Sequence, residues 1–294
     1  MSLTIDNLVV QYSKQSDPAL RIEHLEIYEG VIAVIGENGA GKSTLFKTLQ
    51  GFLLPSTGAI SKAGQSSKFS SVQVFQSEQC FEHVTVKEWI EFQGLLRGME
   101  VSPSEIATCV EHAQLQGKEK RLVNKLSGGQ QRKLNLLCAS FGNPDLIILD
   151  EPTAGLDQEA RKEYWTTVTA YRHTHSNTIL FSSHYMDEVE ENADQVILLS
   201  HGQVISSGSP KELIDNLHLE YVATVPQQKV SLFNLNKISY TIEGEHCVFY
   251  IADADGFFST YGSMSELIKQ GVQLRLPDMS DVYTLHYKER AHSA

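Results

Sequence analysis

The sequence predicts an α/β fold, and three observations carry the prediction. Gly36-Glu37-Asn38-Gly39-Ala40-Gly41-Lys42-Ser43-Thr44 fits G-x-x-x-x-G-K-[ST] and follows directly on the apolar run Val31-Ile32-Ala33-Val34-Ile35. Apolar runs of strand length recur at 146–149 and 179–181, each ending on polar or charged residues. Residues 85–98 and 104–116 instead space their apolar side chains as helices do. With 294 residues the chain can bury a sizeable core, and two unequal domains fit that length best.

Composition narrows the function. The formal charge of −12 argues against a protein held on nucleic acid by its overall field. No apolar run approaches the roughly 20 residues of a membrane helix, and the N-terminus lacks a signal-peptide pattern, so a cytosolic, non-spanning protein is expected. Cys80, Cys109, Cys138 and Cys247 form no C-x-x-C pair; reduced packing residues are expected.

Taken in order, 3–10 and 20–27 alternate apolar and polar residues around Asp17-Pro18, which predicts antiparallel strands. Tyr12 ends the first. Its ring is placed either to stack on an adenine base, worth about 1–3 kcal/mol, or merely to pack at a strand edge. In 36–44 the glycines let backbone curl round a phosphate, and the helix that follows offers unpaired N–H groups to an anion. Lys42 is suited to β/γ oxygens, and Ser43 has a hydroxyl for Mg²⁺.

Residues 51–58 read as a helix end and turn, 61–71 as a polar loop, and 71–76 as a short strand ending on Gln76. The Gln76 amide is suited to a metal or an attacking water, and equally to solvent. A helical insert is expected over about 77–141, with Ser102 and Pro103 starting one of its helices. Near its end, Leu126-Ser127-Gly128-Gly129-Gln130 opens another helix, as a second anion-binding terminus or as a plain cap.

Leu146-Ile147-Ile148-Leu149 then delivers Asp150 and Glu151 side by side, and strand alternation points them apart. One carboxylate suits a metal shell and the other the proton of a water, the division of labour that phosphoryl transfer needs. Thr178–Ser183 reads as a strand ending on His184, whose imidazole is suited to a γ-phosphate or its nucleophile. Two more strands, near 195–199 and 202–208, close the first domain near 215.

In this order, the loop at 36–44, Gln76, the 126–130 string, Asp150-Glu151, Ala154-Gly155-Leu156-Asp157 and His184 resemble the ATP-binding cassette of membrane transporters over residues 2–215. The resemblance implies a phosphate-loop α/β cassette with an antiparallel β subdomain and a helical insert, followed over 216–294 by a small α+β extension. It implies ATP as the nucleotide, held by Tyr12, Gly36, Asn38, Gly39, Ala40, Gly41, Lys42, Ser43 and Thr44. Mg²⁺ would sit on Ser43, Gln76 and Asp150. Glu151 would be the general base, with His184 as switch residue and Gln76 beside the water.

By the same resemblance, Ser127 and Gly129 would reach the γ-phosphate of ATP on an opposite cassette, and Asp157 would make contacts across that interface. The implied partners are a second cassette, identical or different, and a separately encoded transmembrane permease, with no nucleic acid. The protein would lie peripherally on the cytoplasmic face of the membrane. Ser183-His184-Tyr185-Met186-Asp187-Glu188 is similar to the bacterial drug, bacteriocin and polysaccharide exporters, and so is the tail around Leu276-Pro277-Asp278-Met279, which implies export. The rival is a soluble cassette ATPase acting on DNA or the ribosome. Such proteins usually carry tandem cassettes or long coiled-coil insertions, and this chain has neither heptads nor a basic arm.

Overall fold

The computed structural model describes residues 2–13, 17–62, 69–74, 83–175, 177–233 and 238–287. The chain divides into two units, 1–209 and 210–294. In the first, β1 (Leu3–Val10) and β2 (Leu20–Ile27) pair antiparallel. Their buried residues fall at 3, 5, 8 and 10 and at 20, 22, 25 and 27, so each strand breaks its two-residue alternation once. The break in β1 is accommodated at Asn7, whose φ of +47° is a left-handed conformation that asparagine tolerates. Leu8 and Val10 thereby stay on the core face.

After β2 the chain continues as β3 (Val31–Ile35), α1 (Lys42–Leu49), β4 (Thr57–Lys62) and β5 (Ser71–Val74). The sequence expectation of a turn and polar loop fails over 57–62. These residues pair with β1 as an edge strand, whose half-exposed setting removes the apolar alternation that would reveal it.

The helical insert supplies α2 (Val86–Leu96), α3 (Pro103–His112) and α4 (Gly128–Ala139). Each opens with a capping box, Thr85 with Glu88, Ser102 with Glu105 and Ser127 with Gln130, which satisfies N–H groups at the helix start. The buried Trp89 indole donates to Asn135 at 2.9 Å and ties α2 to α4.

The unit closes with β6 (Leu146–Leu149), α5 (Gln158–Thr174), β7 (Thr178–Ser182), α6 (Met186–Asn192), β8 (Gln195–Ser200) and β9 (Gln203–Gly208). Among the described residues the main sheet runs β5-β6-β7-β3-β8-β9, parallel except for β9. β3, β6, β7 and β8 are buried along their whole length, which explains their unbroken apolar runs. Because β6, β7 and β3 are neighbours running the same way, the segments that follow them emerge at one edge.

The second unit contains α7 (Pro210–Asp215), β10 (Tyr221–Pro226), β11 (Ser239–Glu243), β12 (His246–Ile251), α8 (Ala254–Tyr261), α9 (Met264–Lys269), β13 (Gln273–Arg275) and α10 (Met279–Tyr287). Helix α7, placed by the sequence reading before a division near 215, groups with this unit and packs against α10. The antiparallel sheet runs β11-β12-β10-β13. One face buries Phe249 with Phe233, Phe257 and Leu267, and the other sets Val222, Val248 and Tyr250 against Leu285. Cys109, Cys138 and Cys247 are buried, and Cys80 lies outside the described residues.

Candidate functional site

Two segments leaving the parallel sheet, those after β3 and β6, meet around one cavity of about 440 Å³, lined by Tyr12, Ala19, residues 38–44, Asp150 and Glu151. The phosphate loop can take its path only with glycine at two points. A Cβ on Gly36 would lie 2.4 Å from the Leu199 carbonyl oxygen, and Gly41 has φ +108° at the cap of α1. Lys42 folds back over the loop and donates to the carbonyls of Gly36 at 2.6 Å and Glu37 at 3.1 Å. Burial lowers its pKa, against the pull of the Glu151 and Asp150 carboxylates. Lys42 shares the cavity with both acidic residues, where phosphate oxygens would enter.

Tyr12 lies two residues beyond the end of β1 and reaches the same loop: its hydroxyl lies 3.1 Å from Thr44 Oγ1, while the residue remains 59% exposed at the rim. Asp150 and Glu151 follow β6. Ser182, the last residue of β7, links them: its hydroxyl donates to Asp150 Oδ1 at 2.7 Å and accepts from the Glu151 N–H at 2.9 Å. Glu151 has φ +48°, an unfavourable region for a residue with a Cβ. Its carboxylate lies 2.7 Å from His184 Nε2, so residues expected on separate grounds form one pair.

The sequence reading missed Ser182, although its place directly before Ser183-His184 at a strand end was a usable signal. It also missed Arg132. From α4 this guanidinium donates to the carbonyls of Pro152 at 2.7 Å and Ala154 at 2.6 Å, immediately beyond Glu151. Burial lowers the Arg132 pKa, partly offset by Tyr164 and Tyr185.

Ser127 and Gly129 stand at the start of α4. Ser127 is exposed and its hydroxyl accepts from the Gln130 N–H at 3.3 Å; Gly129 is buried, and a Cβ there would lie 3.5 Å from Ala160 Cβ. Asp157 caps α5, accepting from the Ala160 N–H at 2.9 Å. Neither Ser127 nor Asp157 lines the cavity beside Lys42. Gln76 lies outside the described residues.

The donor set suits a hard cation, since Ser43 and Asp150 bring a hydroxyl and a carboxylate to the same cavity. Among the described residues no group of three or more His, Cys, Asp or Glu could hold a metal ion. No helix among them is long and apolar enough to cross a membrane.

The ABC transporter family model matches residues 21–154. The chain is 34% identical over 216 residues to ATP-binding cassette sub-family A member 2 of Rattus norvegicus, covering 70% of this chain and 9% of that protein. It is 31% identical over 252 residues to the phospholipid-transporting ATPase ABCA7 of Homo sapiens, covering 82% and 12%. The chain thus spans a small part of these relatives. With the sulfate/thiosulfate import ATP-binding protein CysA of Thermosynechococcus vestitus it shares 34% identity over 225 residues, covering 74% of this chain and 66% of that protein.

Among solved structures, a nucleotide-free ATP-binding cassette from an ABC transporter superposes with a TM-score of 0.64 at 25% identity, covering 74% of this chain and 94% of the other. The cbiO1 subunit from Clostridium perfringens, part of the ABC transporter complex cbiONQ, gives 0.64 at 27%, covering 80% and 96%. The loop, the paired carboxylates, the Ser127 helix start and these likenesses agree: the chain carries the ATP-binding cassette domain of the ABC transporter family.

Proposed function

We propose that this chain is the ATP-hydrolysing subunit of a membrane transporter, acting as a pair of cassettes on a separately encoded permease. The observation that carries the proposal is the meeting of Lys42, Asp150 and Glu151 on one cavity, with His184 Nε2 2.7 Å from the Glu151 carboxylate. Lys42 and the N–H groups opening α1 bind the β- and γ-phosphates. Tyr12 offers its exposed ring to the adenine. Ser43 and Asp150 would hold Mg²⁺, with Gln76, and the ion would neutralise phosphate charge. Glu151 takes the proton of the attacking water, and His184 orients that carboxylate and senses the γ-phosphate.

The exposed Ser127 and the α4 start, which do not line the chain's own loop cavity, serve the ATP of a second cassette, and Asp157 lies along the same interface. Whether that cassette is identical or different follows from the mass of the ATP-trapped pair. The permease docks its cytoplasmic helices near residues 77–97, which places the subunit peripherally at the cytoplasmic face.

Export is the direction we favour. The 183–188 context and the α+β second unit support it, whereas CysA is named as an importer. Uptake of labelled substrate by reconstituted vesicles in the importing orientation would overturn it. The subunit role is tested by purifying the tagged Glu151→Gln chain with ATP from mildly solubilised native membranes. A multi-spanning membrane protein in defined ratio is expected. Ribosomal or DNA-associated partners alone would favour the soluble class.

A further inference from the structure

Behind the Glu151–His184 pair lies a buried carboxylate that the mechanism above does not use. Glu188, on α6, is 4% exposed. Its Oε2 accepts from the Thr153 hydroxyl at 2.7 Å and from the Ser183 hydroxyl at 3.3 Å. Thr153 lies two residues beyond Glu151, and Ser183 immediately precedes His184. One oxygen therefore joins the segment after β6 to the segment after β7, each beside a member of the pair. Ser183 also accepts from the Tyr185 N–H at 3.0 Å, which fixes the chain on both sides of His184.

The other face of Glu188 is ionic. Arg161 on α5 approaches its Oε1 at 3.6 Å and Asp187 at 3.8 Å, with its guanidinium 4.2 Å over the Tyr185 ring. Burial of a carboxylate in this setting is costly, and it raises the Glu188 pKa against the hydrogen bonds and Arg161. The site it supports is itself unfavourable, since Glu151 is held at φ +48°. Such a conformation persists only where the surroundings over-determine it.

We infer that Glu188 is a positioning residue for ATP hydrolysis, holding Glu151 and His184 in register through Thr153 and Ser183. Glu188 does not line the cavity of the phosphate loop. Removing it therefore misplaces the pair by a small displacement that costs turnover, and leaves the phosphate loop intact. This inference rests on the hydrolytic reading given under Proposed function.

The test compares full-length wild type, Glu151→Gln, Glu188→Ala, Glu188→Gln and Thr153→Val by steady-state phosphate release, with ATP affinity and thermal unfolding measured alongside. Glu188→Ala is expected to lower kcat at least about tenfold and to move KM for ATP less than about twofold. Glu188→Gln, which keeps an acceptor oxygen for both hydroxyls, restores most of kcat. Thr153→Val reproduces part of the loss, is not additive with Glu188→Ala, and serves as the deciding variant if that one fails to fold.

Normal kcat in the folded variants overturns the inference. So does a fall in kcat that only tracks lost ATP affinity or lost folded protein. If wild type itself releases no phosphate, the hydrolytic reading fails and this one with it. An active wild type, a silent Glu151→Gln and unaffected Glu188 variants overturn this inference alone.

Discussion

Glu151 and His184 leave different strands, yet the carboxylate and the imidazole stand 2.7 Å apart. Parallel pairing of β6 with β7 brings the two strand ends together, and the Ser182 hydroxyl fastens them. Substituting Glu151 by Gln preserves the shape and removes the base. Phosphate release should fall by about 10²–10⁴ while ATP binding, measured at equilibrium, is retained. Near-normal turnover would contradict the assignment.

Lys42→Ala acts at the other wall of the cavity. It removes a charge-assisted donor worth roughly 1.5–3 kcal/mol, so ATP affinity should drop about 10- to 100-fold. Titration with a fluorescent ATP analogue checks this, and unchanged affinity would count against the phosphate role.

Arg132→Met strips two carbonyls of their donors in a half-buried setting. The expected loss of stability is about 2–4 kcal/mol, read from denaturant unfolding. Arg132→Lys should recover only part of it, because an ammonium lacks the planar fork that spans both oxygens.

Asp145 makes acid sensitivity testable. Burial pushes its pKa up, but the Lys62 ammonium at 2.6 Å and the Ser70 N–H and hydroxyl outweigh that and leave it lowered. A carboxyl with a depressed folded-state pKa contributes its stability above its ordinary pKa near 4, and loses it as pH falls through the depressed value. Asp145→Asn should therefore be less stable than wild type at pH 7, and the gap should narrow below pH 4. A gap independent of pH would show that the pair contributes through packing alone.

In the second unit, Arg275 grips the buried Asp281 with two bonds of 2.6 and 2.7 Å, and Asp281 also accepts from the Asp278 N–H at 2.9 Å. Asp281→Ala should destabilise this unit by about 2 kcal/mol, less than for a fully buried pair because Arg275 is partly exposed. Hydrogen exchange confined to residues 210–287 would report it.

Much of this architecture was legible because its signals are local. Unbroken apolar runs mark β3, β6 and β7, and a Ser-Pro start marks α3. β4 was hidden by its edge position. α8 was hidden because Phe257, Phe258 and Tyr261 supply the aromatic bulk that strands also favour. Within the site, 36–44 and Asp150-Glu151 announce themselves by spacing. The Ser182 bridge and the Arg132 fork join residues about 20 to 30 positions apart, and nothing in a linear sequence states which distant partners meet.

Arg132 has a consequence for a pair of cassettes. It sits on the helix that Ser127 opens, and it grips the turn that carries Glu151. If Ser127 meets the neighbour's ATP, each chain spans from its own carboxylate to the other chain's phosphate through one stiff strut. Two such struts, crossed head to tail, would make a closed circuit, in which cleavage at either ATP would pull on the other without any contact between the nucleotides.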